Sequence, residues 1–520
     1  MHLQIPMFMD MEFHIPSFSA LFSSILFLFM VAKLVWRSIR TPKLPPGPWK
    51  LPIIGNMHQL IGGSLPPHHK LRNLAIQYGP LMHLQLGEVS NIIVSSPEIA
   101  KECLKTHDTT FADRPFLLAA KILTYDFKGI SFSPYGDYWR QLRKICSMEL
   151  LSAKRVKSFR SIREEEVSNL ITTIHRSSSE GSVPIDLSEK VTSLNYGTTA
   201  RTAFGKKTKD QEAYISVARE ISRLAGGFYV ADMYPSIKML QLVGGMRHKL
   251  VQVHAEADRI LGNILSDHKE KKKNMKEADH DHEEDLVDVL LKFQEVDQFN
   301  YPLTDSNIKA VLLDIFTAGS GTSSTTVDWA MSELMKNPRV MEEAQSEVRK
   351  VFHGKSNVDE TDIHELKYLR AVVKETLRLH PPAPLLVPKE CNQSCVIEGY
   401  KIPAKSKVIV NAWAIGRDPR YWTEADKFYP ERFIDGASAS RIDYKGTDFQ
   451  YIPFGAGRRI CPGITYGMAV VELSLAQLLF HFDWKLPNDL KPEDLDMTEA
   501  FGLGARRKVN LSVVPIPYHP

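Results

Sequence analysis

Hydrophobic and polar positions change rhythm several times along this chain, and each change marks an element. From Phe18 to Ala32 there is no charged residue, and the apolar character continues through Leu34-Val35-Trp36. With the Lys33 amine reaching for the interface, 17–37 can cross a bilayer core, which takes roughly 20 residues. Thr41-Pro42-Lys43-Leu44-Pro45-Pro46-Gly47-Pro48 then breaks any helix and predicts a stiff linker within 38–52. Alternating runs at Leu81–Leu86 and Asn91–Val94 predict strands of a small sheet. Pro97 opens a helix through Leu104. Phe111 to Gly136 keeps no period and is too long and apolar for a plain surface loop, which predicts an irregular segment capping a cavity. Helical spacing dominates from Ala153 to Lys292. Thr304-Asp305 caps a helix that runs to about Lys336, where Asn337-Pro338 ends it. Apart from Asp314, Ala310–Phe316 is apolar, so much of this helix is buried. Tyr466–Phe480 predicts a second buried helix.

Composition narrows the class. The 520 residues are 43% hydrophobic and 24% charged, ordinary for a globular protein with a sizeable core. A net charge of +4 is too small and diffuse to argue for nucleic acid. No zinc spacing, P-loop or tandem repeat appears. The five cysteines are Cys103, Cys146, Cys391, Cys395 and Cys461, an odd, sparse set that argues for a reducing compartment. Cys391 and Cys395 lack a second pair and read as surface-loop thiols. Arg37, Arg40 and Lys43 follow the first apolar run, which puts 1–16 in the lumen and the catalytic body, 53–520, in the cytosol. A cleaved signal peptide would carry its positive residues before that run. Asn392-Gln393-Ser394 is then expected to carry no glycan. Asp267–Glu284, with His268, His280 and His282, is dense in charge and reads as a solvated connector rather than a metal site. Leu224–Val230 and Met239–Met246, flanking Pro235, are apolar patches that can dip towards a membrane.

The candidate chemistry lies near the C-terminal end, in Pro453-Phe454-Gly455-Ala456-Gly457-Arg458-Arg459-Ile460-Cys461-Pro462-Gly463. A thiolate is a strong axial ligand for haem iron. Glycines let a loop run close to a flat macrocycle. Backbone N–H groups near the sulfur tune the metal, and Arg459 can meet a propionate. Taken alone, Cys461 would be a buried free thiol in a tight turn. Its neighbours decide otherwise: Phe454, Gly457, Arg459, Cys461 and Gly463 match the haem-ligand signature F-x-x-G-x-R-x-C-x-G, with Gly455 inside it. Here the chain resembles the cytochrome P-450 family.

That resemblance covers essentially the whole chain. It implies a mainly α fold with small β-sheets, a long central helix over the haem, and an N-terminal transmembrane helix. The linker resembles the proline-rich hinge of microsomal members. In the family a Trp and an Arg four apart bind a haem propionate, and Trp139 and Arg143 match; they share one helix face. In the central helix Ala318-Gly319-Ser320-Gly321-Thr322-Ser323 carries two glycines, each costing about 1 kcal/mol against alanine, so close packing or a local opening is expected. Thr322 supplies a hydroxyl that can donate to dioxygen and relay protons through water. The family places an acid before that threonine. Here Gly321 stands instead, so Ser320, Ser323 or water would complete the relay. Glu375 and Arg378 join Arg432 in the family's buried triad, a structural role. Phe116, Leu117, Ala318, Leu385, Val387, Phe501 and Leu503 are the implied pocket wall.

The closest likeness is to plant microsomal members that oxidise terpenoids. The implied cofactor is haem b, with NADPH electrons arriving through a separate membrane reductase, because the chain has no dinucleotide fingerprint. The reductase would dock on basic residues around Arg140, Arg143, Lys144 and Arg458. The implied reaction is hydroxylation or epoxidation of a lipophilic molecule, a sesquiterpene or diterpene first, at the endoplasmic reticulum membrane. An O2-independent haem-thiolate isomerase or dehydratase, and a non-catalytic haem- or lipid-binding membrane protein, are the alternatives.

Overall fold

The structure is a computed structural model and describes residues 43–179, 183–205, 211–226, 229–242, 245–274, 284–295, 301–500, 502 and 504–519. The luminal and anchor segments, His280, His282, Phe501 and Leu503 lie outside the described residues.

One helix, Asp305–Lys336, threads the body. Its start is closed by a capping box. The Thr304 hydroxyl accepts from the Asn307 N–H, and the Asn307 side chain accepts from the Thr304 N–H at 2.9 Å. Asn337 ends it, and Pro338 begins the next helix, where a missing N–H is harmless. Residues on all sides of this helix are buried, as its apolar run demands. Around its first half pack Leu187–Phe204, Gln211–Ala225, Gly245–Asn274 and Leu286–Glu295, with Phe316 against Tyr214 at 4.4 Å. Around its second half pack Lys367–Leu379 and Ile464–His481. Ile464–His481 is long and apolar enough to cross a membrane, yet 67% of it is buried inside the protein, where it serves as core.

The small sheet has Leu81–Leu86 antiparallel to Val89–Val94, which runs parallel to Lys407–Val410, with Lys389–Glu390 on the far side. Both expected strands are present. The helix from Pro97 is α-helical to Lys101 and continues as a π-helical turn, Glu102–Thr106. The expected irregular segment between Phe111 and Gly136 contains a helix, Leu118–Leu123. Its first N–H has a partner far away in sequence: Leu118 donates to the buried Asp232 carboxylate at 2.7 Å.

Candidate active site

The cysteine loop is shaped by its glycines. Gly455 and Gly457 sit at φ of 71° and 70°, a region that side chains disfavour. At Gly457 the need is absolute, because an added Cβ would lie 2.1 Å from the Leu104 carbonyl oxygen. The turn closes where the Cys461 N–H donates to the Phe454 carbonyl at 3.0 Å. Asp108 holds it from outside, accepting from the Arg458 backbone N–H at 3.0 Å. Burial pushes the Cys461 thiol up, while the Gly463 N–H and the charge of Arg143 pull it back towards thiolate.

Behind the loop, Glu375 receives both arginines. Arg378 makes a two-pronged contact with it at 2.7 and 2.8 Å, and Arg432 Nε donates to its Oε1 at 3.0 Å. Their remaining donors reach backbone carbonyls of Gly416, Ala425, Lys427 and Thr423. The triad is buried and satisfied, the condition under which buried charge is tolerable. Rings connect it to the loop. Arg378 lies over Trp422, and contacts run through Phe433, Tyr451 and Tyr444 to Phe454.

On the central helix, Ala318 and Thr322 are exposed although the residues flanking this region are buried. At roughly 100° per residue, positions 318, 321, 322 and 325 share one face. This face opens into space, for a Cβ added at Gly321 would meet nothing within 4 Å. The helix after Cys461 rests on the same segment. A Cβ at Gly467 would meet Ser323 Oγ at 3.5 Å, and one at Gly319 would meet Tyr466 at 4.0 Å. A Cβ at Gly319 or Gly467 would make only ordinary contacts and one at Gly321 none, so close packing does not require these glycines. The helix runs through them unbroken, without the local opening that was the other expectation. The Thr322 hydroxyl donates to the Ala318 carbonyl at 2.7 Å, which leaves its oxygen open to accept and its proton deliverable after a rotation. Ser320 is fully buried about 160° from Thr322, and Ser323 faces the ligand-side helix. Neither is placed to continue a relay from the open face. Thr325 is, and the sequence reading missed it.

A cationic wall completes the site. Arg459 donates to the Ala112, Ile130 and Ser133 carbonyls and stacks on Trp139 at 4.2 Å. Trp139 donates its indole N–H to Ile130 at 3.0 Å. Arg114 bridges Ser131 to Val387 and Pro388. Lys389 Nζ is buried with no hydrogen-bond partner among the described residues. Burial, then the charges of Arg114 and Arg459, push Lys389 down to about 7. Burial with like-charge repulsion also lowers Arg114, and burial lowers Arg143.

The pocket candidates divide. Val387 is half-buried, its carbonyl held by Arg114. Leu385 packs with Leu71 and Met82 in the core beside the sheet, so it does not belong to the wall as expected. Its neighbour Leu386 lies against the cysteine loop instead, 3.8 Å from a Cβ built on Gly455. Phe116 is 37% exposed and packs edge-on to Phe127. Leu117 is half-buried at the start of Leu118–Leu123.

A helical body with a thiol in a glycine loop, a following helix packed on a long central one, and a buried Glu-Arg-Arg brace fits a haem-thiolate protein. Comparison with known sequences agrees, since the family model for cytochrome P-450 matches residues 45–510. The chain belongs to the cytochrome P-450 family, and it is a monooxygenase. It is 56% identical to desmethyl-deoxy-podophyllotoxin synthase of Sinopodophyllum hexandrum, over 95% of this chain and 96% of that one. It is 51% identical to premnaspirodiene oxygenase of Hyoscyamus muticus (97% and 99%) and 54% identical to tabersonine 16-hydroxylase 2 of Catharanthus roseus (96% and 97%). A zebra fish cytochrome P-450 solved with progesterone has the same fold, with a TM-score of 0.74 at 24% identity, covering 87% of this chain and 100% of that one.

The family cofactor is haem, reduced through a reductase partner. The residues fit it. A concentration of buried cations with an unpartnered ammonium suits a group that carries two carboxylates, and Cys461 supplies the soft donor. Among the described residues the Arg143 guanidinium makes no hydrogen bond or ion pair, so its donors are free for such a group, whereas those of Trp139 and Arg459 are placed on the backbone.

Proposed function

We infer that this enzyme inserts one oxygen atom from O2 into a C–H or C=C bond of a lipophilic plant metabolite, a sesquiterpene or diterpene scaffold first. Haem, when bound, would supply oxygen activation, and the Cys461 thiolate would hold its iron. The chain's own residues do the rest: the Thr322 hydroxyl handles the proton, the glycine face leaves room for substrate, and Glu375, Arg378 and Arg432 hold the loop in place. The observation that carries this reading is the open stripe of Ala318, Gly321 and Thr322, which offers one hydroxyl and no charge. Such a wall selects by shape rather than by polar recognition. The relatives named for premnaspirodiene and tabersonine are similar to this chain at 51% and 54% identity, so identity does not rank those substrates, and the apolar wall is what favours a hydrocarbon scaffold.

The enzyme acts at the endoplasmic reticulum membrane in this reading. In support, Trp49, Ile53, Ile237 and Met239 are exposed apolar side chains, and Tyr234 ties the two segments together through the Ile53 carbonyl. The reductase docks on Arg140, Lys144 and Arg458. The first and last converge on Tyr135, at 5.4 and 5.9 Å. Arg143 turns inward and leaves that surface. Co-expression with a reductase and a panel of terpene, alkaloid and phenylpropanoid scaffolds, read by product mass spectrometry, tests the assignment. A mono-oxygenated terpene supports it; turnover confined to alkaloid or phenylpropanoid scaffolds would overturn the substrate class.

A further inference from the structure

His68 and His69 lie in the first turn of the helix Pro67–Tyr78. Glu499 stands on the short strand Glu499–Ala500, 431 residues after His68. Its Oε2 is 2.5 Å from His68 Nε2 and 3.4 Å from His69 Nε2. Its Oε1 faces His380 Nδ1 at 4.0 Å. The His380 ring is fixed in place, stacked on Trp329 at 4.1 Å with its Nε2 at 2.7 Å from Glu333. A carboxylate only accepts, so that Nε2 carries the proton and donates. In the neutral ring Nδ1 is then a lone pair, aimed at a carboxylate oxygen inside the protein. Neither this Nδ1 nor His69 Nε2 has a hydrogen-bond partner among the described residues, and His380 is only 7% exposed. His68 Nε2 donates to Glu499 Oε2, so the acceptor pair is His380 Nδ1 facing Glu499 Oε1; such a pair repels in a buried place, and a cation between them converts the repulsion into coordination.

We propose that His68, His69, Glu499 and His380 bind one first-row divalent cation, zinc by donor type. The ligand atoms of His68, His69 and Glu499 all lie within 4.8 Å of one another. The 3.4 Å between His69 and Glu499 is the edge of a tetrahedron whose bonds are about 2.1 Å. His68 withdraws by about 1 Å and moves its proton to Nδ1 as it coordinates. Glu333 behind His380 is the outer carboxylate that orients a metal-binding imidazole. The nearby Arg417 is answered by Asp426 at 3.3 Å and by the Trp413 ring. The cation would tie the helix Pro67–Tyr78 to the turn that leads into Pro381–Pro388 and to the strand before Gly502. It would therefore set the spacing of two segments assigned to the pocket; this consequence, unlike the binding, rests on the haem-thiolate reading.

The test uses the full-length holoenzyme, stripped on a chelating resin and titrated with zinc chloride against a fluorescent zinc indicator. Metal content after dialysis is measured alongside. One zinc retained per chain is expected. His69→Ala should lose affinity by at least tenfold while haem content stays constant, because this ring is partly exposed and lies outside the haem site. Glu333→Gln should weaken binding by about tenfold or more through the outer shell. His268→Ala, at the separate His268, Asp285 and Asp288 group, should change nothing. Equal zinc retention by wild type and His69→Ala, or loss of zinc only in His268→Ala, would overturn the proposal. Zinc stoichiometry is read independently of haem, so a failure of the haem assignment would show separately in the reduced carbon monoxide spectrum.

Discussion

Replacing Arg378 by lysine keeps the charge and removes the fork. Arg378 makes five hydrogen bonds, two to Glu375 and one each to the Gly416, Ala425 and Lys427 carbonyls. An ammonium has three donors radiating from one point, so at least two of these five hydrogen bonds are lost, although Glu375 Oε1 and the Lys427 carbonyl keep Arg432 as a donor. Each such loss costs about 1–3 kcal/mol. Two such losses together cost about 4 kcal/mol as a central value. It equals a roughly thousandfold shift between folded and unfolded populations, out of a total stability of about 5–15 kcal/mol. Because rings link Arg378 to Phe454, the damage should reach the cysteine loop before the periphery. The assay is the fraction of purified chain that carries thiolate-ligated haem, from the reduced carbon monoxide difference spectrum, before and after mild warming. Wild-type haem content and thermal midpoint in Arg378→Lys would refute the claim that the triad braces the loop.

Other substitutions probe the same site. Gly321→Asp should retain full haem content, because its Cβ has open space, and should bring product formation closer to NADPH consumption; loss of haem would mean that this face is occupied. Thr322→Ala should raise hydrogen peroxide release per NADPH, and unchanged coupling would remove Thr322 from the proton path. Gly457→Ala should strip haem at a positive φ facing the Leu104 carbonyl; a well-loaded variant would show that the loop moves freely. Asp314 is enclosed beside the Ser131 N–H, and burial raises its carboxyl from 3.8 to about 6. A raised acid favours the fold while protonated, so its contribution is full below 3.8 and lost as pH rises through about 6. Asp314→Asn should flatten the fall in thermal stability across that interval, and an unchanged slope would assign it to other groups.

What was legible in the sequence is what local chemistry encodes. Cys461 and its glycines, the Thr304 cap and the Asn337-Pro338 stop are each set within a few residues, and all three are found as expected. The Glu375 triad was readable only through the family resemblance, because its second arginine lies 57 residues on and no local rule pairs them. Pairings with no local signature were not readable. Asp232 supplies the cap that lets Leu118–Leu123 be helical, from 114 residues away. Asp108 meets Arg458 across 350 residues, and Glu499 meets His68 across 431. The placing of Leu385 was not readable for another reason. An extended run shows that alternate side chains point opposite ways, not which set faces the pocket; Leu386 has a positive φ and turns to the loop, while Leu385 turns to the sheet.

The central claim is that the Cys461 thiolate would hold the iron of the bound haem. The most direct measurement is the reduced carbon monoxide difference spectrum of Cys461→Ser beside wild type, each normalised to total haem. Wild type should show the thiolate-ligated band, and Cys461→Ser should lose that band together with reductase-dependent turnover. An unchanged band and unchanged turnover in Cys461→Ser would contradict it.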